Sequence, residues 1–256
     1  MCPCRDGVGS ADPGGRRGRS GFTLIDVVVA VVVIAALVAI LTPTFSRAQE
    51  AAHRVACASN QRQIGLGLQM FAYERNDRLP GSVFDADGDA MPPEGADAEE
   101  AVYLRVDEPW SERPMWDGLG HLVAEHYVVA QEAYYCPSHT GRFTFDAYSE
   151  ARSSGRGEIV SNFHYRVDDG TRPARFSRLG PGYSLVADSM RSEEEFSHRV
   201  GLNVLTADLS ASWVADTNGE LLERVSSPFG WVDPVRLRPT DLWPEVEQLR
   251  ASAANP

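Results

Sequence analysis

The chain has 256 residues and a formal net charge of −12 at pH 7, and all 24 of its basic residues are Arg. No basic run follows Arg19, which argues against nucleic acid as a main partner, because phosphate binding draws on Lys and Arg clusters. Residues 79–256 are of an ordinary size for one compact domain.

The first predicted element is a membrane helix. From Phe22 to Leu41 every residue is apolar or small except Thr23 and Asp26. At about 1.5 Å per residue this run spans about 30 Å, the thickness of a bilayer's hydrocarbon core. Arg16, Arg17 and Arg19 precede it with no acid between Pro13 and Ser20. The positive-inside rule therefore keeps the N-terminus cytoplasmic and exports the remainder. A secretory signal peptide would have a shorter apolar core and an Ala-x-Ala-like cleavage site, and Thr42-Pro43-Thr44-Phe45 offers none. Asp26 is the anomaly. A charge at mid-bilayer costs about 3 kcal/mol on insertion scales, so the acid needs a partner or a function. A plain signal anchor whose Asp26 reaches back to water is the competing reading.

Ser20-Gly21-Phe22-Thr23-Leu24-Ile25-Asp26 resembles the processing signal of type IV pilins and type II secretion pseudopilins: a basic leader ending in Gly, then Phe-Thr-Leu-x-Glu, then a long apolar helix. The resemblance implies that a prepilin peptidase cuts between Gly21 and Phe22 and that Phe22 becomes N-methylated. Asp26 stands where that family has Glu, keeping the charge on a side chain one methylene shorter. Pro43 resembles the helix-kinking proline of pilins, since proline deletes one backbone hydrogen bond. A free amine at Phe22 has a reference pKa of about 7.7–8.0 and is a cation that can pair with Asp26 of a neighbouring subunit. Residues 1–21 hold four Arg and two Asp, so the processed chain would carry −14.

Past Pro43 the helix continues over residues 42–78, because Cys57, Ile64, Leu68 and Phe71 recur on one stripe. Gln49, Glu50, Arg54, Gln61 and Gln63 keep much of the rest polar, and Asn76-Asp77-Arg78-Leu79-Pro80-Gly81 ends it. The stretch Val83–Glu100 reads as an acidic surface loop. In it, Asp85, Asp87 and Asp89 could hold Ca²⁺, although Ala90 and Ala96 stand where an EF-hand wants Gly and Glu. A solvated acidic loop is the simpler reading.

Cys2 and Cys4 lie in the leader, whereas Cys57 and Cys136 would face an oxidising compartment. Three readings of that pair stand: a disulfide tying helix to domain, two separate buried thiols, or, through Cys136-Pro-Ser-His139, half of a zinc-ligand spacing. Tyr134 and Tyr135 read as strand positions. Further strands are predicted at Tyr183–Ala187, Leu202–Ala207 and Ala211–Val214, with a tight turn at Asp208–Ser210 closing the last two into a hairpin. Thr240–Leu249 reads as a short capped helix.

Cys57-Ala-Ser-Asn60, Cys136-Pro-Ser138, Val186-Ala-Asp188 and a closing His-x9-Asp-Gly motif resemble a planctomycete-type branch of prepilin-like proteins. The last motif here is His198 and Asp208, with Leu209 in place of Gly. His198, Asp188 and Asp208 could also act as a base or as metal ligands, but no nucleophile elbow or His-Glu-x-x-His run accompanies them. The plainer reading has His198 and Asp208 holding the hairpin.

The expected fold is α+β, a pilin-like lollipop: leader 1–21, transmembrane helix 22–41, its continuation 42–78, and a periplasmic domain 79–256 with an antiparallel sheet. The resemblance implies a non-enzymatic filament subunit without a cofactor, processed by prepilin peptidase and assembled on an inner-membrane platform. A membrane-anchored metal-dependent enzyme and a ligand-binding module are the alternatives.

Overall fold

A computed structural model describes residues 23–83, 100–107, 113–166, 174–190, 193–198, 200–225 and 243–254. Helix α1 runs from Leu24 to Glu74, 51 residues. Its start is a capping box: the Asp26 amide donates to Thr23 Oγ1 at 3.3 Å, and the Thr23 amide donates to Asp26 Oδ2 at 2.9 Å. The helix passes through Pro43 without interruption. Proline leaves the Ala39 carbonyl without its amide partner, and hydroxyls bond to carbonyls on either side of that position. Thr42 Oγ1 donates to the Val38 carbonyl at 2.7 Å, and Ser46 Oγ to the Thr42 carbonyl at 3.2 Å. The end comes where Asn76 and Asp77 take φ of 55° and 68°, the left-handed region that Asn and Asp tolerate best among non-glycine residues. There the Asp77 amide reaches back to the Ala72 carbonyl at 2.8 Å.

The chain forms two units, residues 1–47 and 48–256, so the second takes in the helix from Ala48 onward. In the second unit six antiparallel strands lie in the order β2-β1-β3-β4-β5-β6. They are β1 Glu100–Val106, β2 Met115–Trp116, β3 Ile159–Arg166, β4 Ser184–Asp188, β5 Gly201–Thr206 and β6 Ala211–Ala215. Short helices α2 Gly120–Ala124 and α3 Ser149–Ser154 lie between β2 and β3. Helices α4 Glu220–Val225 and α5 Trp243–Ala254 follow β6. The class is α+β, with the helix packed on the antiparallel sheet.

Two cores hold the sheet. The first joins Cys57, Ile64, Leu68 and Phe71 of α1 to Leu185 and Leu205. The second joins Leu202, Val204 and Val214 to Leu221 of α4 and to Trp243 and Val246 of α5. Each fully buried aliphatic side chain contributes about 1.5–3 kcal/mol relative to exposure. Alternation along β5 explains the split: Leu202 and Val204 point to one core while Asn203 and Leu205 point to the helix. The helix lies close because a Cβ at Gly65 would sit 2.9 Å from Leu205 Cδ2, and one at Gly67 would sit 2.6 Å from Val128 Cγ2.

Strands β4, β5 and β6 lie where the sequence predicts strands, and β5 pairs with β6 from Gly201↔Ala215 to Leu205↔Ala211. Leu209 occupies the turn at φ 64°, a conformation glycine would adopt without steric cost. The helical reading near the C-terminus holds from Trp243, with residues 240–242 outside those described. Tyr134 and Tyr135 are not strand residues. Gln131–Tyr134 forms a 3-10 turn whose rings are buried, and Tyr135 leads out of it to Cys136.

Candidate functional site

The sequence places its two candidate regions in different units. In the first, residues 24–46 of α1 all have exposed side chains, Leu24 at 82% and Phe45 at 71%. This is a helix long and apolar enough to cross a membrane, none of whose apolar window is buried within the protein. Asp26 is its only charged side chain before Arg47. Within the described residues, the Asp26 carboxylate accepts from the Thr23 amide at 2.9 Å, and the Thr23 hydroxyl also lies against it. Gly21 and Phe22, the two sides of the expected cleavage, lie outside the described residues, as do Asp85, Asp87 and Asp89.

In the second unit Cys57, Cys136, Asp188 and His198 converge. Each offers one ligand atom, all four atoms lie within 4.8 Å of one another, and all four residues are buried. Cys57 comes from the middle of α1, Cys136 from the loop after the 3-10 turn, Asp188 from the end of β4, and His198 from the turn before β5. Cys57 Sγ donates to Asp188 Oδ1 at 2.7 Å. Cys136 Sγ lies 3.2 Å from His198 Nε2, which is itself 3.5 Å from Asp188 Oδ2. Cys57 and Cys136 are both free, with no disulfide between them.

A ring of polar groups fixes these four. His198 Nδ1 meets Glu50 Oε1 at 2.7 Å, and Glu50 in turn accepts from Ser138 Oγ at 2.8 Å and pairs with Arg54 Nε at 3.1 Å. Asp188 accepts from Gln61 Nε2 at 3.0 Å, from the Asn203 amide at 2.6 Å and from Asn203 Nδ2 at 3.1 Å. The Cys136 amide donates to Asn162 Oδ1 at 2.6 Å. Arg54 also stacks over Trp213 at 4.0 Å, and the Trp213 and His198 rings meet near perpendicular with centroids 5.4 Å apart.

The electrostatics follow from burial set against these bonds. Burial pushes the Cys57 thiol well up. For Cys136 burial also pushes upward, but hydrogen bonds from Cys57 and His198 outweigh it and bring the thiol down to about 7. Burial disfavours the charged imidazole of His198, yet Cys136, Asp188 and Glu50 raise it to about 9. Burial raises Asp188 despite the neighbouring His198 and its donors. The cluster can therefore exist as a Cys136 thiolate beside a His198 imidazolium, and its four donor atoms converge as ligands do.

This geometry redistributes the residues the sequence grouped. Asp208 does not join His198. It stays in the hairpin turn, where its Oδ1 accepts from Thr206 Oγ1 at 2.5 Å and from the Ser210 amide at 3.0 Å. The hairpin reading thus holds for Asp208 and fails for His198, whose side chain points into the thiol cluster. His139 leaves the zinc-like spacing and pairs instead with Glu195 at 2.8 Å. Gln61 is not on the polar outer face but fully buried against Asp188. Glu50 and Gln61 were legible as site residues only through spacing: they lie seven before and four after Cys57, on one helix face. Comparison of the chain with family models, with curated proteins and with solved structures gave no match.

Proposed function

We propose that this chain is a structural subunit of a type IV pilin-like or pseudopilin-like filament. It is cut after Gly21, methylated at Phe22, anchored by residues 22–41 and assembled through that helix, with its C-terminal domain on the periplasmic side of the inner membrane. The observation that carries the proposal is Asp26, one acid in an exposed apolar helix whose carboxylate is bonded, among the described residues, to neighbouring Thr23 alone. Such a group is costly alone in hydrocarbon and is offset by an opposite charge, which the new amino terminus of a neighbouring copy supplies. Pairing of this kind also fixes the axial register between helices, as a buried polar contact does in a coiled coil.

The test is Asp26→Ala beside Asp26→Glu in the producing cell. The alanine variant inserts in the membrane but forms no sedimentable filament or intersubunit cross-link, and the glutamate variant assembles. Assembly of Asp26→Ala at the wild-type level would contradict the proposal. A membrane-anchored enzyme, the reading to which the Cys136–His198 pair gives some support, would keep its activity in either variant.

A further inference from the structure

We propose that Cys57, Cys136, Asp188 and His198 bind a zinc ion at a closed, structural site that clamps the second half of α1 to β4 and to the turn before β5. The inference is independent of the filament reading, since all four ligands and their supporting bonds lie in the second unit.

The donor set comes first. Two thiolates, one imidazole and one carboxylate form a tetrahedral complement suited to Zn²⁺. With Zn–S near 2.3 Å and Zn–N or Zn–O near 2.1 Å, neighbouring ligand atoms stand about 3.3–3.8 Å apart. The contacts here are 2.7, 3.2 and 3.5 Å, with the whole set inside 4.8 Å. An ion fits with movements of about 1 Å.

The imidazole orientation is the second observation. His198 turns Nε2 to Cys136 and Asp188 and gives Nδ1 to Glu50. With Nδ1–H donating to the carboxylate, the Nε2 lone pair points at the centre of the cluster, as in the carboxylate–histidine–zinc arrangement. Asp188 is likewise positioned by Gln61 and Asn203. Ligands held this well by surrounding groups resemble a prepared metal site more than a packing accident.

Closure is the third. Cys57 and Asp188 are 0% exposed, His198 1% and Cys136 4%, which leaves no open coordination position for a substrate. As each Zn–S bond forms, a thiol that still carries its proton releases it to solvent and the sulfur keeps the electron pair. Metal-held thiolates are also withdrawn from oxidation to a disulfide. Glu50 is a positioning residue rather than a ligand.

The experiment uses the full-length chain in detergent, purified without chelator. Elemental analysis should find one zinc per chain, and exchange for Co²⁺ should give tetrahedral visible bands with a thiolate-to-cobalt charge-transfer band. Cys57→Ser should weaken that band. Glu50→Gln should lower zinc affinity by about 10–100-fold, measured by competition with a chelating dye, with an unchanged circular dichroism spectrum. The wild-type chain is measured first, so a variant that does not fold leaves the test intact. Sub-stoichiometric zinc with no cobalt spectrum would overturn the proposal, and so would a Cys57–Cys136 disulfide found by mass spectrometry.

Discussion

Between Leu24 and Ser46 helix α1 turns apolar side chains outward and carries one acid, Asp26. Between Glu50 and Ala72 the same helix turns Glu50, Cys57 and Gln61 inward among Asp188, His198 and Asn203. The two carboxylates, Asp26 and Asp188, sit in opposite settings: Asp188 is fully buried, whereas Asp26 is exposed on an apolar helix that lies in a membrane under the proposed reading. Asp188 takes four hydrogen bonds from within its own chain, from Cys57, Gln61 and twice from Asn203. The Asp26 carboxylate is bonded among the described residues to Thr23 alone, at the helix start. The comparison teaches that a buried acid is held by donors from its own domain, whereas an acid on an apolar helix needs a counter-charge once that helix enters hydrocarbon, as the proposed assembly supplies.

The most direct way to break this comparison is to remove the satisfied acid. Asp188→Ala strands the Gln61 and Asn203 donors and leaves His198 without one counter-charge in a fully buried site. Chemical denaturation should show a loss of about 3–5 kcal/mol. A loss below about 1 kcal/mol would mean that the network contributes little.

A third carboxylate, Asp117, sharpens the rule through pH. Burial pushes it up to about 6, against hydrogen bonds from the Val83 amide and Ser82 Oγ. The folded state then holds a proton that the unfolded chain, with an ordinary carboxyl near 3.9, has released. Its contribution to stability is complete below about pH 4 and lost as pH rises through about 6, a fall of about 3 kcal/mol. Denaturation midpoints across that window should show the fall, and Asp117→Asn should flatten it.

Smaller effects test the packing that brings α1 to the sheet. Gly67→Leu drives its Cβ toward Val128 Cγ2 and Leu122 Cδ1 and should cost about 1–3 kcal/mol, partly offset by about 1 kcal/mol of better helix propensity. Smallest of all, Leu209→Gly relieves a residue at φ 64° and should raise the thermal midpoint by the equivalent of up to about 1 kcal/mol. Part of that gain is lost with the contact Leu209 Cδ2 makes beside Gly65.

The helix was legible because its buried residues recur at seven, four and three along α1, and the last three strands because they are short apolar runs bounded by turn residues. Strand β3 was not, since Ser161, Asn162 and His164 are buried there beside Phe163 and Tyr165 and erase the apolar alternation. At the cluster, Cys57, Cys136, Asp188 and His198 each lie in a stretch that the sequence marks as special. Their meeting could not be read, because it depends on β4 and β5 pairing beneath α1 across more than a hundred residues, 131 between Cys57 and Asp188. The local spacing Cys136-Pro-Ser-His139 pointed to the wrong histidine for the same reason: proximity in the chain is not proximity in the fold.

The account rests on an acid left for a neighbour's amino terminus, and that terminus can be weighed. Intact and N-terminal peptide mass spectrometry of the chain from its producing cell should find a species beginning at N-methyl-Phe22. A chain that still carries Arg16, Arg17 and Arg19 ahead of an unmodified Phe22 would contradict it.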